Sequence, residues 1–416
     1  MMVPMQEPSN FYGLGIAPNI LTILDKLGFK TPTPIQEKSI PPAIEGKDLM
    51  GLAQTGTGKT LAFGIPMIQG ALGGKRGLVI LPTRELALQV KEAYQKIGAP
   101  LGVRSVLLVG GEAIFRQLQG LRANPMIIIG TPGRIIDHLE QKTLSLFQVD
   151  ILVLDEADRM LDMGFAPQLK RILSGVPKER QTMLFSATMP NEIVHLAHSY
   201  MKLPMRIEIA PPGMAASKIT QELFFLTKQD KPRLLEKLLS EYRGSVLVFS
   251  RTKFGAKRIG ASVRLLGHSA TELHSNKSLN QRREALDGFR NGRYRILVAT
   301  DIAARGIDVK GIELVVNYDL PSNAEDYIHR IGRTARAGAA GHAISFATPD
   351  QRGDVRDIER LMRATLPPKA LPDLPPMRPE SERPRFYPEP ERSRGPRPSS
   401  RFQSRSRFPR RPGPAR

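Results

Sequence analysis

The 416-residue chain has no cysteine. That excludes disulfides and any zinc or redox centre held by thiolates, and a cytoplasmic setting is the expectation that fits. No stretch reaches the ~18 apolar residues of a membrane span, so no membrane partner is expected. The opening "MMVPMQEPSNFYGLG" lacks a basic stretch running into an apolar one, and no secretory leader is expected. Acid is the scarcer charge: 40 Asp and Glu stand against 61 Lys and Arg, a net +21, with a pI of about 10.3. From Arg392 onward there is no acid at all. Such an imbalance points to a polyanion, nucleic acid above all, with a solvated basic surface as the plain alternative.

What is present suits two globular domains and a tail. Hydrophobic residues make up 41% of the chain, enough for ordinary cores, and its length exceeds that of one common domain. Short apolar runs, "GLVIL" (77–81), "MIII" (126–129), "ILVL" (151–154) and "MLF" (183–185), alternate with helical periodicity through 48–209. They read as buried strands of a parallel sheet in an α/β domain. A second series includes "LFFL" (223–226), "SVLVFS" (245–250), "RILVAT" (295–300), "LVVN" (314–317) and "AISFAT" (343–348). The spacing predicts a first domain over 1–209, a linker over 210–218 containing "APPGMAAS" (210–217), and a second domain over 219–366. Residues 367–416 hold fourteen prolines and thirteen Lys and Arg against five acids. Such a segment cannot bury enough apolar surface to order itself, and it reads as a disordered tail that tethers RNA through arginines, Phe402 and Phe408, or else as a solubilising spacer.

The chemistry concentrates after the strands. "AQTGTGKT" (53–60) follows the strand-like "DLMGL" and matches a phosphate-binding loop, with Ala53 in place of its first Gly. Gly56 and Gly58 let backbone N–H groups fold around phosphate oxygens, with Thr55 before them and Thr57 between. Lys59 can reach the outer phosphates and Thr60 can ligate Mg²⁺. "ILVLDEAD" places Asp155, Glu156 and Asp158 within four positions of one another, which makes sense opposite a metal, phosphate and arginines. Asp155 sits where such proteins hold Mg²⁺, usually through water, and Glu156 is placed to orient and deprotonate the attacking water. Asp158 is left to pair with a basic group. "PTREL", "TPGR" and "SAT" each follow a strand, where open α/β sheets collect ligands. Arg84 and Arg134 can grip a sugar-phosphate backbone, although helix capping serves equally for the adjoining Thr and Ser. In the second domain Arg330 and Arg333 lie three apart, so on a helix they share a face and can act as arginine fingers.

Taken in order, "GFKTPTPIQ" (28–36) with Phe11 upstream, "AQTGTGKT", "PTRELA", "GG" (110–111), "TPGR", "DEAD", "SAT", "VFSRTK" (248–253), "ATDIAARGIDV" (299–309) and "HRIGRTARAG" (329–338) resemble the DEAD-box RNA helicases over about 11–348. The short, basic-tailed build is similar to bacterial members, of the RhlE type. The resemblance implies two tandem RecA-like domains that close over ATP and RNA and open a short duplex locally. It implies that Gln36 reads the adenine edge, that Phe11 stacks on the base, and that Asp308 contacts the ribose. Ser186 and Thr188 would couple hydrolysis to strand separation, and Asp158 would pair with His329 or its neighbours. Thr83, Arg84, Gly111, Thr131, Arg134, Arg282 and Thr300 would hold the RNA backbone. Two positions depart from the pattern: Leu279 stands where Gln is common, three before Arg282, and Ser275 where Gly is common. Ribosome assembly, RNA decay and cold adaptation are all compatible settings. A scaffold that clamps RNA without turnover, and a DNA translocase built on the same engine, are the competing readings.

Overall fold

The computed structural model describes residues 10–53, 56–209, 219–304, 309, 311–334 and 341–377. Two parallel sheets carry the chain. The first runs in the order β3-β4-β2-β5-β6-β1-β7, from β1 (Leu49–Leu52), β2 (Gly77–Ile80), β3 (Ser105–Leu108), β4 (Ile127–Gly130), β5 (Ile151–Asp155), β6 (Gln181–Ser186) and β7 (Met205–Glu208). The second runs β10-β11-β9-β12-β13-β8, from β8 (Ile219–Phe225), β9 (Ser245–Phe249), β10 (Ala270–Leu273), β11 (Ile296–Ala299), β12 (Ile312–Asn317) and β13 (Gly341–Ala347). The two α/β units with parallel sheets match the expected fold class. The predicted linker lies outside the described residues.

The local reason is visible strand by strand. "GLVI" and "ILVLD" are buried at every position, as a strand covered by helices on both faces requires. Each sheet accordingly has two apolar layers. Ile35, Phe63, Val153 and Phe185 belong to one side of the first sheet, and Leu78, Leu154, Met160 and Leu184 to the other. Pairing of β5 with β6 sets Asp155 opposite Phe185, which brings the loops after both strands together.

Residues 367–377, which composition assigns to the tail, pack on the second unit. Pro368 bridges to Leu223, and the Lys369 amide donates to the Leu223 carbonyl at 2.8 Å. Arg233 Nε donates to the Pro375 carbonyl at 2.6 Å, and Leu374 packs against the core. β8 is an edge strand, and a proline-rich segment without a full set of N–H donors suits that position. The rest of the expected tail, 378–416, lies outside the described residues.

Candidate active site

The phosphate-loop half of the site is built on β1 and the helix Lys59–Leu72. Gly56 and Gly58 have φ of +86° and +95°, a region closed to most side chains. A Cβ on Gly58 would also collide with the Gln36 amide and the Thr33 hydroxyl. Gln36 Nε2 donates to the Gly58 carbonyl at 3.0 Å, and its Oε1 accepts from the Thr33 amide at 2.9 Å. Gln36 therefore braces the loop from the helix Pro34–Ile44. Lys59 is buried; its Nζ donates to the Ala53 carbonyl at 3.0 Å and stands 3.9 Å from Asp155 Oδ1. Thr57, just before that helix, and Thr60, in its first turn, are half-buried. Thr55 and Asp308 lie outside the described residues.

The three acids differ in their surroundings. Asp155 is buried, and burial pushes its pKa up to about 6 against the opposing pull of Lys59, with Glu156 and Asp158 adding to the rise. Glu156 is 4% exposed and sits at φ +51°, an uncommon conformation for a non-glycine residue that turns its carboxylate out of the strand line. Burial opposes its charge, but Arg159, Lys59 and Arg333 outweigh that and hold it below the usual carboxylate range. Arg159 Nη1 donates to Glu156 Oε2 at 2.7 Å, while Oε1 has no hydrogen-bond partner. Sequence reasoning missed Arg159, although its position three residues after Glu156 on the following helical turn was the available signal.

Asp158 has partners that sequence spacing did not show. Its Oδ2 accepts from the Ala187 amide at 3.0 Å, the Thr188 amide at 2.9 Å and the Thr188 hydroxyl at 3.0 Å. Its own amide donates to Ser186 Oγ at 3.3 Å. The carboxylate is thus engaged by the "SAT" loop, because the neighbouring ends of β5 and β6 supply donors at close range. This links the "DEAD" and "SAT" segments directly.

Two further expectations change. Phe11 is 3% exposed and packed into the first core with Leu14 and Ile16, so its ring offers no open face to a base in this arrangement. Arg330 does not reach toward the acids. Its Nε and Nη2 donate to Asp301 at 2.5 and 2.7 Å, and Nη1 donates to Asn317 Oδ1 at 3.1 Å and the Asp319 carbonyl at 2.6 Å. The guanidinium also lies 5.0 Å from the Phe249 ring centroid. Every arm is used inside the second unit. The helix Ala324–Ile331 ends before Arg333, with Gly332 as its C-cap, so the two arginines do not share a helical face. Arg333 donates through Nε to the His329 carbonyl at 3.1 Å, and its charge reaches Glu156 from the second unit. Arg159, His329, Arg330 and Arg333 line one small cavity in the seam.

The expected backbone-gripping residues fall into two sets. In the first unit Arg84 lies against Gly110 and Gly111, whose φ at Gly111 is +80°. Arg134 Nη1 donates to the Glu112 carbonyl at 3.3 Å, which joins the "TPGR" and "GG" loops. Thr131 is buried at the N-cap of Pro132–Glu140. Thr83 caps the helix Arg84–Gly98 by accepting from the Leu86 amide at 3.3 Å. In the second unit Thr300 is half-buried after β11. Arg282 is corrected: it is buried, with Nε 2.8 Å from Glu85 Oε1 of the first unit. Sequence reasoning missed Glu85 because its partner is nearly two hundred residues away.

A family model described as DEAD/DEAH box helicase matches residues 33–196, and one described as helicase conserved C-terminal domain matches 230–338. The ATP-dependent rRNA helicase RRP3 of Meyerozyma guilliermondii is 43% identical over 367 residues, 87% of this chain and 77% of that one. The DEAD-box ATP-dependent RNA helicase CshA of Geobacillus kaustophilus is 42% identical over 362 residues, 86% of this chain and 78% of that one. Among solved structures, S. cerevisiae Dbp5 bound to RNA and ADP BeF3 is similar with a TM-score of 0.77 and 31% identity, covering 85% of this chain and 93% of that one.

Proposed function

The chain belongs to the DEAD-box helicase family, and from that premise we propose that it is an ATP-dependent RNA helicase whose two units close on ATP and RNA together to open short duplexes or remodel RNA–protein complexes. One observation carries the reading. The Glu156 carboxylate, buried in the seam, takes its stabilisation from Lys59 and Arg159 of the first unit and from Arg333 of the second. A base assembled from both units is complete only when they meet, so ATP and RNA, each favouring closure, bind cooperatively.

Lys59 at the head of the phosphate loop faces the outer phosphates. Glu156 holds and deprotonates the attacking water, with its free Oε1 available to it. Arg333 neutralises charge that develops on the transferred phosphoryl group. Asp158 ties this carboxylate segment to Thr188, so that a shift at the phosphates moves the "SAT" loop. Asp155 and Thr60 are oxygen donors that suit Mg²⁺. A buried Asp155, held up to about 6 despite Lys59 and the Glu156 amide, is the surroundings a hard cation would relieve. When bound, Mg²⁺ would neutralise phosphate charge. Arg84, Gly111 and Arg134 form the backbone-reading surface, which is blind to base sequence. Structured RNA, including ribosomal RNA or RNA in decay complexes, and a cytoplasmic location complete the proposal.

Lys59→Ala and Glu156→Gln should each lower RNA-stimulated ATP turnover by at least a hundredfold, read by phosphate release with and without RNA. Turnover in the parent that is equally fast without RNA would sink the coupling.

A further inference from the structure

The two units also meet away from the acids. The helix Leu279–Arg290 of the second unit faces the helix Arg84–Gly98 of the first across a cleft walled by Leu88, Gln89, Glu92, Leu279, Arg283 and Leu286. Leu279, the first residue of its helix, packs against the apolar core of the first unit, and among the described residues it alone does so from the second unit. One turn along, Arg282 meets Glu85 at 2.8 Å, both buried. The contact therefore has an apolar anchor beside a desolvated ion pair, the arrangement that concentrates binding energy at protein interfaces. It consists of protein groups only and involves none of the nucleotide-facing loops.

We propose that Leu279 is a positioning residue, the apolar anchor of a clasp between the two units that favours the closed arrangement through protein–protein contact alone and so sets how tightly nucleotide tightens the grip on RNA. This deepens the proposed function and rests on its coupling of closure to both ligands. The clasp differs in its consequences from a direct RNA contact. A clasp shifts the open–closed balance, so weakening it lowers RNA affinity only under conditions where binding draws on closure. A residue that touches RNA lowers affinity under all conditions.

The test is fluorescence anisotropy of a labelled single-stranded RNA, with and without a non-hydrolysable ATP analogue. Leu279→Gln keeps the side-chain length but not the apolar contact. RNA affinity with the analogue should fall by about fivefold, the scale of one half-buried leucine, and affinity without it should stay within about twofold. Leu88→Gln, on the facing wall, should reproduce this pattern, and Leu279→Met should retain the parent affinity. Equal losses in both conditions would make Leu279 an RNA contact and overturn the clasp. So would an unchanged affinity in Leu279→Gln where the parent tightens. If the parent itself shows no tightening by the analogue, the proposed coupling fails and the clasp with it.

Discussion

Asp155 shows how a single residue can serve function against stability. A free aspartate titrates near 3.8, and burial in the folded chain lifts this one to about 6. Below about pH 4 the group is neutral in both states and has no effect. As pH rises through 4 to 6 the unfolded chain releases its proton first, so the unfolded state gains and folding stability falls. Above about 6 the full penalty, about 3 kcal/mol, is in place. Asp155→Asn should therefore be more stable than the parent by about that amount at pH 7.5 in metal-free buffer, with the difference closing as pH approaches 4. Urea unfolding at several pH values reads this directly, and equal stability at pH 7.5 would show that Asp155 is not strained. The acid triplet itself was legible because it is contiguous and follows an apolar run. Its neighbourhood was less so: Arg159 was signalled only by its spacing of three from Glu156, and the "SAT" donors become partners only through the β5–β6 pairing.

At the scale of elements, the legible strands are those whose apolar runs are buried throughout, such as β2, β5 and β9. The strands left unnamed in the sequence are short or mixed. β3 is buried at alternate positions only, β7 is exposed at three of four positions, and β10, "ATEL", buries a glutamate against Arg264 and Lys277. Edge and near-edge strands carry polar residues that hide them from an apolar-run reading. The same scale explains the arginine correction. Spacing of three implies a shared face only where a helix continues, and the helix here stops at Ile331. The two arginines should then fail differently. Arg330→Ala leaves the half-buried Asp301 and the buried Asn317 Oδ1 without their partner and should lower the stability of the second unit by roughly 3–5 kcal/mol. Arg333→Ala should lose less stability than Arg330→Ala yet drop at least a hundredfold in RNA-stimulated ATP turnover. Denaturant curves beside turnover measurements separate them, and matched stability in both variants would contradict the Arg330 network.

Across the whole molecule, the two-unit plan was readable from two series of apolar runs, but the end of the second unit was not. Composition changes at Pro367, whereas packing continues to Met377, because prolines that cannot join a central strand can still cover an edge. Two truncations distinguish these boundaries. Ending the chain at Leu366 removes the cover on β8, the Lys369–Glu222 ion pair and the Pro375 and Leu374 carbonyls that accept from Arg233, so it should lower the melting temperature of the second unit by several degrees. Ending it at Met377 spares all of these and should leave melting unchanged. It still removes twelve arginines against four acids, the most basic stretch of the chain. If those arginines meet RNA phosphates, the plot of log affinity against log salt should flatten by about 0.7 for each phosphate that the shortened chain no longer neutralises, while ATP turnover at saturating RNA stays at the parent level. A salt slope equal to the parent's would make the segment a spacer, and the grip on RNA would then reside in the body, on Arg84, Gly111 and Arg134.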